Sequence, residues 1–188
     1  FYTPSGRCIQ KPYDSDYQYD IYERYAHGEM TSADSMKVDT TAVFYTVRGR
    51  RVYGGGGIIP DVFVPIDTTK ATAFYVECNK KATAVRFAQT MFDKYRGTLA
   101  GIDDFSKLET YLQSLDLPGQ FLEYASRVDG IRPKEGEWEE TASYMVPQLN
   151  ALVGRFSKLE DEAFYRFYLP IDDTIQAALK NPSVVEFL

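Results

Sequence analysis

Cysteine, histidine and tryptophan are scarce in this chain: two, one and one among 188 residues. With only Cys8 and Cys78 there is no disulfide framework to read, and a single bridge between them has no supporting pattern. The lone His27 has no triad context, and with Glu29 and Asp34 nearby it makes a weak metal-ligand set, so no metal site is assigned. Positive charge is also short. Lys and Arg number 21 against 27 Asp and Glu, a formal net charge of −6, and the clustered basic footprint that neutralises nucleic-acid phosphates or anionic lipid is absent. No apolar run is long enough to span a bilayer, so no membrane insertion is expected of this chain. The first residues carry neither a basic leader nor an initiator Met, and Phe1-Tyr2-Thr3-Pro4 reads as mid-domain sequence. Two nucleophile signatures are missing as well: no Ser-x-x-Lys spacing and no Gly-x-Ser-x-Gly elbow occurs.

What is present is enough for a folded protein, since 44% of the residues are apolar and 15% aromatic. The pattern changes character near residue 67, which gives an α+β fold class in two parts, 1–66 and 67–188. In the first part, β-branched and aromatic residues fill short runs at Arg7 to Gln10, Ala42 to Val47, Arg51 to Tyr53 and Asp61 to Ile66. Thr3-Pro4-Ser5-Gly6 and Arg48-Gly49-Arg50 supply turns between them. An insert at 11–41 interrupts these runs. Its Tyr- and Asp-rich stretch, Lys11 to Met36, reads as a surface excursion with a short helix around Ile21 to Ala26. Tyr13, Tyr17, Tyr19, Tyr22 and Tyr25 could present an aromatic ligand surface, but are expected to staple the insert onto the core. Arg48, Arg50 and Arg51 fit a solvated hairpin turn better than a phosphate site.

In the second part the period becomes helical. Val85, Ala88, Phe92 and Tyr95 recur on one face, and Trp138, Ala142, Met145, Leu149, Leu152 and Phe156 form a second stripe, in which Pro147 should kink or interrupt the helix. Ser106-Lys107-Leu108-Glu109 and Ser157-Lys158-Leu159-Glu160 have capping-box form. Asp116 before Leu117-Pro118, and Asp172, suit helix N-termini too. The shared Phe-Ser-Lys-Leu-Glu string is a coincidence of capping chemistry, because its flanks differ. The acidic pairs Asp103-Asp104, Glu139-Glu140 and Asp172-Asp173 are read as helix starts rather than as a glycosidase couple.

Four glycines, Gly54 to Gly57, stand before Ile58-Ile59-Pro60-Asp61. A phosphate loop or a dinucleotide fingerprint needs a helix to follow, and a β-rich run follows instead. The remaining reading is a tight bend or close backbone approach, with Pro60 orienting the next segment.

Taken together, Phe1-Tyr2-Thr3-Pro4-Ser5-Gly6-Arg7-Cys8-Ile9-Gln10 and Gly57-Ile58-Ile59-Pro60-Asp61-Val62-Phe63-Val64-Pro65 resemble two motifs of the C-terminal processing, or tail-specific, serine peptidases, in the same order. The resemblance covers 1 to about 66. The stretch between the motifs, Lys11 to Tyr53, is far longer than the family's usual connection. The resemblance implies that 1–66 closes a catalytic core and that a serine nucleophile and lysine base lie upstream of Phe1. No catalytic, cofactor-binding or metal residue is therefore assigned within the chain, which alone is expected to be inactive. Ser5 is the tempting false positive, and its Pro4 and Gly6 neighbours favour a turn role. Implied partners are protein or peptide substrates of the longer enzyme, and the implied location is the periplasm or cell envelope. A non-catalytic binding or dimerisation module is the alternative. The apolar stripes of 67–188, with Phe164, Phe167, Tyr168 and Leu169, suggest a homodimer.

Overall fold

The computed structural model describes residues 1–10, 17, 19–36, 40–54, 57–69 and 71–181. It divides into two compact units, Phe1–Ile66 and Asp67–Leu188. Helices dominate, with one two-stranded antiparallel sheet among the described residues, so the chain is α+β at a coarse level.

In the first unit, α1 (Asp20–Ala26) is followed by a 3-10 turn at Ala33–Ser35 and a hairpin of β1 (Val43–Tyr45) and β2 (Arg51–Tyr53). Phe44 pairs with Val52 at its centre. The turn closes through Thr46 N to Arg50 O at 2.8 Å and Gly49 N to Thr46 O at 2.8 Å, with Gly49 at φ 78°, a value glycine adopts without cost. The basic cluster does sit at this turn. The strand expected at Asp61 to Ile66 does not form, and Arg7 to Gln10 contributes only a Tyr2–Cys8 bridge. A strand needs a ladder partner, and the only backbone bond from 61–66 within the described residues runs from Ile66 N to Met30 O, at 2.9 Å. Gly54 answers part of the glycine question: a Cβ there would lie 2.7 Å from Phe44 Cε2, so any other residue would have to displace that ring as the chain leaves β2. Gly55 and Gly56 lie outside the described residues.

The second unit is a helical assembly: α2 (Ala73–Lys80), α3 (Thr83–Leu99), α4 (Phe105–Ser114), α5 (Leu117–Tyr124), α6 (Glu137–Gly154), α7 (Asp161–Tyr168) and α8 (Asp173–Lys180). A π turn, Ala125–Asp129, extends α5. Of the expected stripe, Met145 and Leu149 are fully buried, while Trp138, Leu152 and Phe156 pack half-buried against the core, Phe156 beyond the end of α6; Val153, outside that stripe, is fully buried too, and α6 packs against α2, α3, α4, α5 and α7. Pro147 does not interrupt it. An interior proline costs about 3 kcal/mol, but burying each of Met145, Leu149 and Val153 returns roughly 1.5–3 kcal/mol, so packing holds the helix through the missing amide.

On α3 the phase differs from the expected face. Ala84, Phe87, Ala88 and Met91 are buried, while Val85 is 47% exposed and Phe92 and Tyr95 flank the core. The aromatic contacts explain the shift, because Phe87 meets Phe121 edge-on at 5.4 Å and Tyr124 at 5.6 Å. Phe92 still stacks on Phe156 at 4.5 Å.

Two of the four expected caps are correct: Asp116 accepts from Gly119 N at 3.2 Å and Asp172 from Ile175 N at 3.0 Å. The two capping boxes are not used. Asp104, not Ser106, caps α4, accepting from Lys107 N at 2.9 Å, since a carboxylate beside the helix N-terminus also gains from the macrodipole. Ser157 makes a local turn instead, accepting from Leu159 N at 3.2 Å, while the neighbouring Lys158 amide is drawn to Ile102 O at 3.0 Å and α7 starts only at Asp161.

The corrected phase of α3 has a measurable consequence. Phe87→Ala should destabilise the helical unit by about 3–5 kcal/mol, and Val85→Ala by less than about 0.5 kcal/mol. Denaturant unfolding followed by far-UV circular dichroism separates the two; equal losses would restore Val85 to the core.

Candidate functional site

Two places gather chemistry-bearing residues, one in each unit. In the first, residues 1–9 fold into a tight turn: Gly6 N bonds Thr3 O at 2.9 Å, Thr3 N bonds Arg7 O at 2.9 Å, and Ile9 N bonds Phe1 O at 3.2 Å. Ser5 takes the turn role expected of it. Its Oγ lies 2.9 Å from Thr3 Oγ1, a neutral hydroxyl that cannot act as a base at neutral pH, and no lysine amine or imidazole reaches it among the described residues. Arg7 joins this turn to the hairpin, donating from Nη1 to Tyr53 O at 3.1 Å. That bond fastens the first motif to the residue from which the glycine run departs. Asp61, in the second motif, is ion-paired with Arg50.

The described residues of the insert group no site. His27 ends α1, its amide bonding Glu23 O at 2.9 Å. Glu29 is buried and takes Arg24 Nε at 2.8 Å, while Asp34 stands in the 3-10 turn. Among the described residues no three His, Cys, Asp or Glu side chains are grouped to hold a metal ion. The tyrosines do not staple the insert: Tyr17, Tyr19, Tyr22 and Tyr25 are all exposed, because the short α1 buries no residue. Tyr13 lies outside the described residues.

The second place was not visible in the motifs. At the junction of α2 and α3, Ala82 has φ 50°, a conformation that costs a non-glycine residue roughly 1–3 kcal/mol. This kink turns Lys81 and Thr83 toward Asp129 at the end of the π turn. Thr83 Oγ1 donates to Asp129 Oδ2 at 2.7 Å, Lys81 Nζ to the Asp129 carbonyl at 2.9 Å, and Arg86 Nη2 to both carboxylate oxygens at 2.6 Å. The Asp129 side chain is only 6% exposed and Arg86 40%. Hydrogen bonding from Arg86 holds the Asp129 carboxyl below the usual carboxylate range. Burial, with the Asp129 charge adding to it, pushes the Cys78 thiol up to about 11. Beside this network lies a cavity of about 340 Å³ lined by residues of α2, by Asp129 to Arg132 and Lys134, and by Glu137.

A sequence signal for this network existed. Asp129 is an acidic residue at a helix C-terminus, where the macrodipole disfavours it, so its charge needs a partner. A shallow hollow on α4, between Ser106 and Ser114, offers less, because Thr110 and Ser114 spend their hydroxyls on the carbonyls of Ser106 and Tyr111. No helix among the described residues is long and apolar enough to cross a membrane.

Compared with protein-family models, with curated proteins and with solved structures, the chain matches none.

Two measurements follow from the network. Because the folded Asp129 carboxyl ionises more readily than the unfolded one, its carboxylate stabilises the fold above about pH 4, and that contribution is lost as pH falls through the folded value. Asp129→Asn should therefore lower stability at neutral pH and flatten its decline in acid; parallel stability–pH curves would contradict the assignment. In the native chain at neutral pH a thiol reagent should label Cys8 and spare Cys78, with both reacting after unfolding.

Proposed function

We propose that residues 1–66 are the last β elements of the catalytic core of a C-terminal processing serine endopeptidase, and that 67–188 form a helical domain following it. The observation that carries this reading is burial. Among the described residues of the first unit only Glu29 is buried, and no apolar side chain is. Phe1, Tyr2, Ile58, Val62 and Ile66 are all more than half exposed. A unit of this size is marginal even with a core, and surface of this kind asks for an apolar layer to cover it. Segment 61–66, with a single backbone bond among the described residues, asks for a neighbouring strand. A larger peptidase core supplies both, and the hairpin is held to the first motif by the Arg7–Tyr53 bond and to the second by the Arg50–Asp61 ion pair.

In this reading the nucleophile is a serine upstream of Phe1, and its base is a lysine kept neutral by a desolvated pocket, which takes the hydroxyl proton as the serine attacks the peptide carbonyl. Substrates are unfolded or tail-exposed proteins, no cofactor is required, and the longer protein resides in the periplasm or cell envelope. A second reading, a binding or dimerisation module, draws on α7 and α8: α8 buries no residue, and Tyr165 and Leu179 are more than half exposed. Light scattering on the longer protein with and without 67–188 addresses it, a dimer lost on deletion being the expected result.

Hydrogen exchange tests the main reading. In the isolated chain, amides of 1–66 should exchange far faster than those of α3 and α6, and in the longer protein they should become protected. Equal protection in the isolated chain would show that 1–66 needs no larger core. A serine-reactive phosphonate should leave the isolated chain unlabelled while labelling the longer protein; labelling that vanishes in Ser5→Ala would move the nucleophile into this chain.

A further inference from the structure

The cavity beside the π turn is lined by three carboxylates and three cations, and their partners are unequal. Every carboxylate already has a donor. Asp129 takes Arg86 and Thr83, Glu77 takes Lys80 Nζ at 2.8 Å, and Glu137 accepts the Lys134 backbone amide at 2.7 Å. Of the cations, Lys81 lies in the field of Asp129 and Glu77, whereas Arg132 and Lys134 have no carboxylate partner among the described residues. Lys81 Nζ donates to the carbonyl of Asp129 at 2.9 Å and Arg132 Nε to the Ser126 hydroxyl at 2.7 Å, both neutral acceptors. None of Lys81, Arg132 and Lys134 is ion-paired among the described residues. Arg86 and Lys80, which do not line the cavity, pair with two of its three carboxylates, which leaves Arg132 and Lys134 on its wall without a carboxylate partner among the described residues.

We propose that this cleft binds a small ligand carrying an oxyanion, a carboxylate or a phosphate, gripped by Arg132 and Lys134 with Lys81 at its edge. The Arg132 Nε bond to Ser126 fixes the plane of the guanidinium, leaving its terminal nitrogens for bidentate contact with two oxygens. Ala73 and Ile131 offer apolar wall for the ligand's body, and a volume of about 340 Å³ suits a small molecule. The wall is held in place beforehand. Gly130, at φ 70°, turns the chain out of the π turn, and Asp129 is anchored by Arg86, Thr83 and Lys81, so binding need not order the loop. This inference does not depend on the peptidase reading.

The test is a titration of the whole chain with inorganic phosphate and, separately, with succinate, at constant ionic strength set by chloride. Amide shifts of Gly130 to Lys134 and the fluorescence of Trp138, the chain's one tryptophan, are the readouts. Saturable changes are expected, and the double variant Arg132→Gln, Lys134→Gln should bind roughly tenfold more weakly or less well still. Both side chains are exposed, so the variant should retain its helical signal, and Lys107→Gln on α4 should bind as the native chain does. Saturation by phosphate alone identifies a phosphate ligand, and by succinate alone a carboxylate; either supports the site. Responses that do not saturate with either anion, or an undiminished affinity in the double variant, overturn it.

Discussion

The apolar face of α6 is the constraint on which the helical unit depends. Met145, Leu149 and Val153 have no exposure, and five other helices lie against this one. The assembly has little freedom once α6 exists. Thr141, fully buried, donates to Glu137 O at 2.7 Å and shares a hydrogen bond with Thr72, which in turn caps α2 by accepting from Tyr75 N. The start of α2 is thus fixed by a hydroxyl on α6. From there Phe74 reaches Trp138 at 6.1 Å and Phe121 at 6.3 Å, so α2, α5 and α6 share one aromatic cluster, extended to α3 by Phe87. Edge-on pairs of this kind add about 0.5–1.5 kcal/mol each beyond area burial. They also fix which face of each helix turns inward.

This is why the helices were legible in the sequence and their details less so. A six-residue stripe such as Trp138 to Phe156 can serve only one helical face, and it survived even an interior proline. Around α3, two overlapping faces share Ala88, and the sequence alone cannot show that Phe87 has two rings waiting for it. Caps behaved similarly. Asp116 had no competitor nearby and Asp172 precedes Asp173 into the helix, whereas Ser106 lay two residues from an aspartate with the added advantage of charge, and Ser157 lay in a connection whose neighbouring amide was claimed by Ile102. The residues of the cleft were illegible for another reason. Thr83 and Arg86, which anchor the Asp129 wall, stand more than 40 positions from Asp129 and form no motif with it, and only the misplaced charge of Asp129 at a helix end pointed to them.

The first unit shows the opposite balance. Its local chemistry was readable: the turn at Thr3 to Gly6, the hairpin at Arg48-Gly49-Arg50 and the helix near Ile21 to Ala26 all formed. What local chemistry cannot supply is a partner layer. The apolar residues of 61–66 have strand propensity but no ladder to join, and propensity in a strand is largely a statement about packing against neighbours. The chain thus joins a unit whose described apolar side chains are none of them buried to a helical one with a fully buried apolar core.

The Asp129 network does not fit a purely stabilising role. Burying a carboxylate costs several kcal/mol before its partners recover the loss, and an apolar replacement of the pair is often as stable. Here the cost is joined by a left-handed Ala82 and by a π turn, a feature that recurs at functional sites. Three local penalties meet around Asp129. A stretch held this firmly, yet lined on its open side by cations without carboxylate partners, is better explained by the need to present those cations in a fixed geometry than by the packing of α2 against α3, which Phe74, Cys78 and Phe87 could maintain without any buried charge.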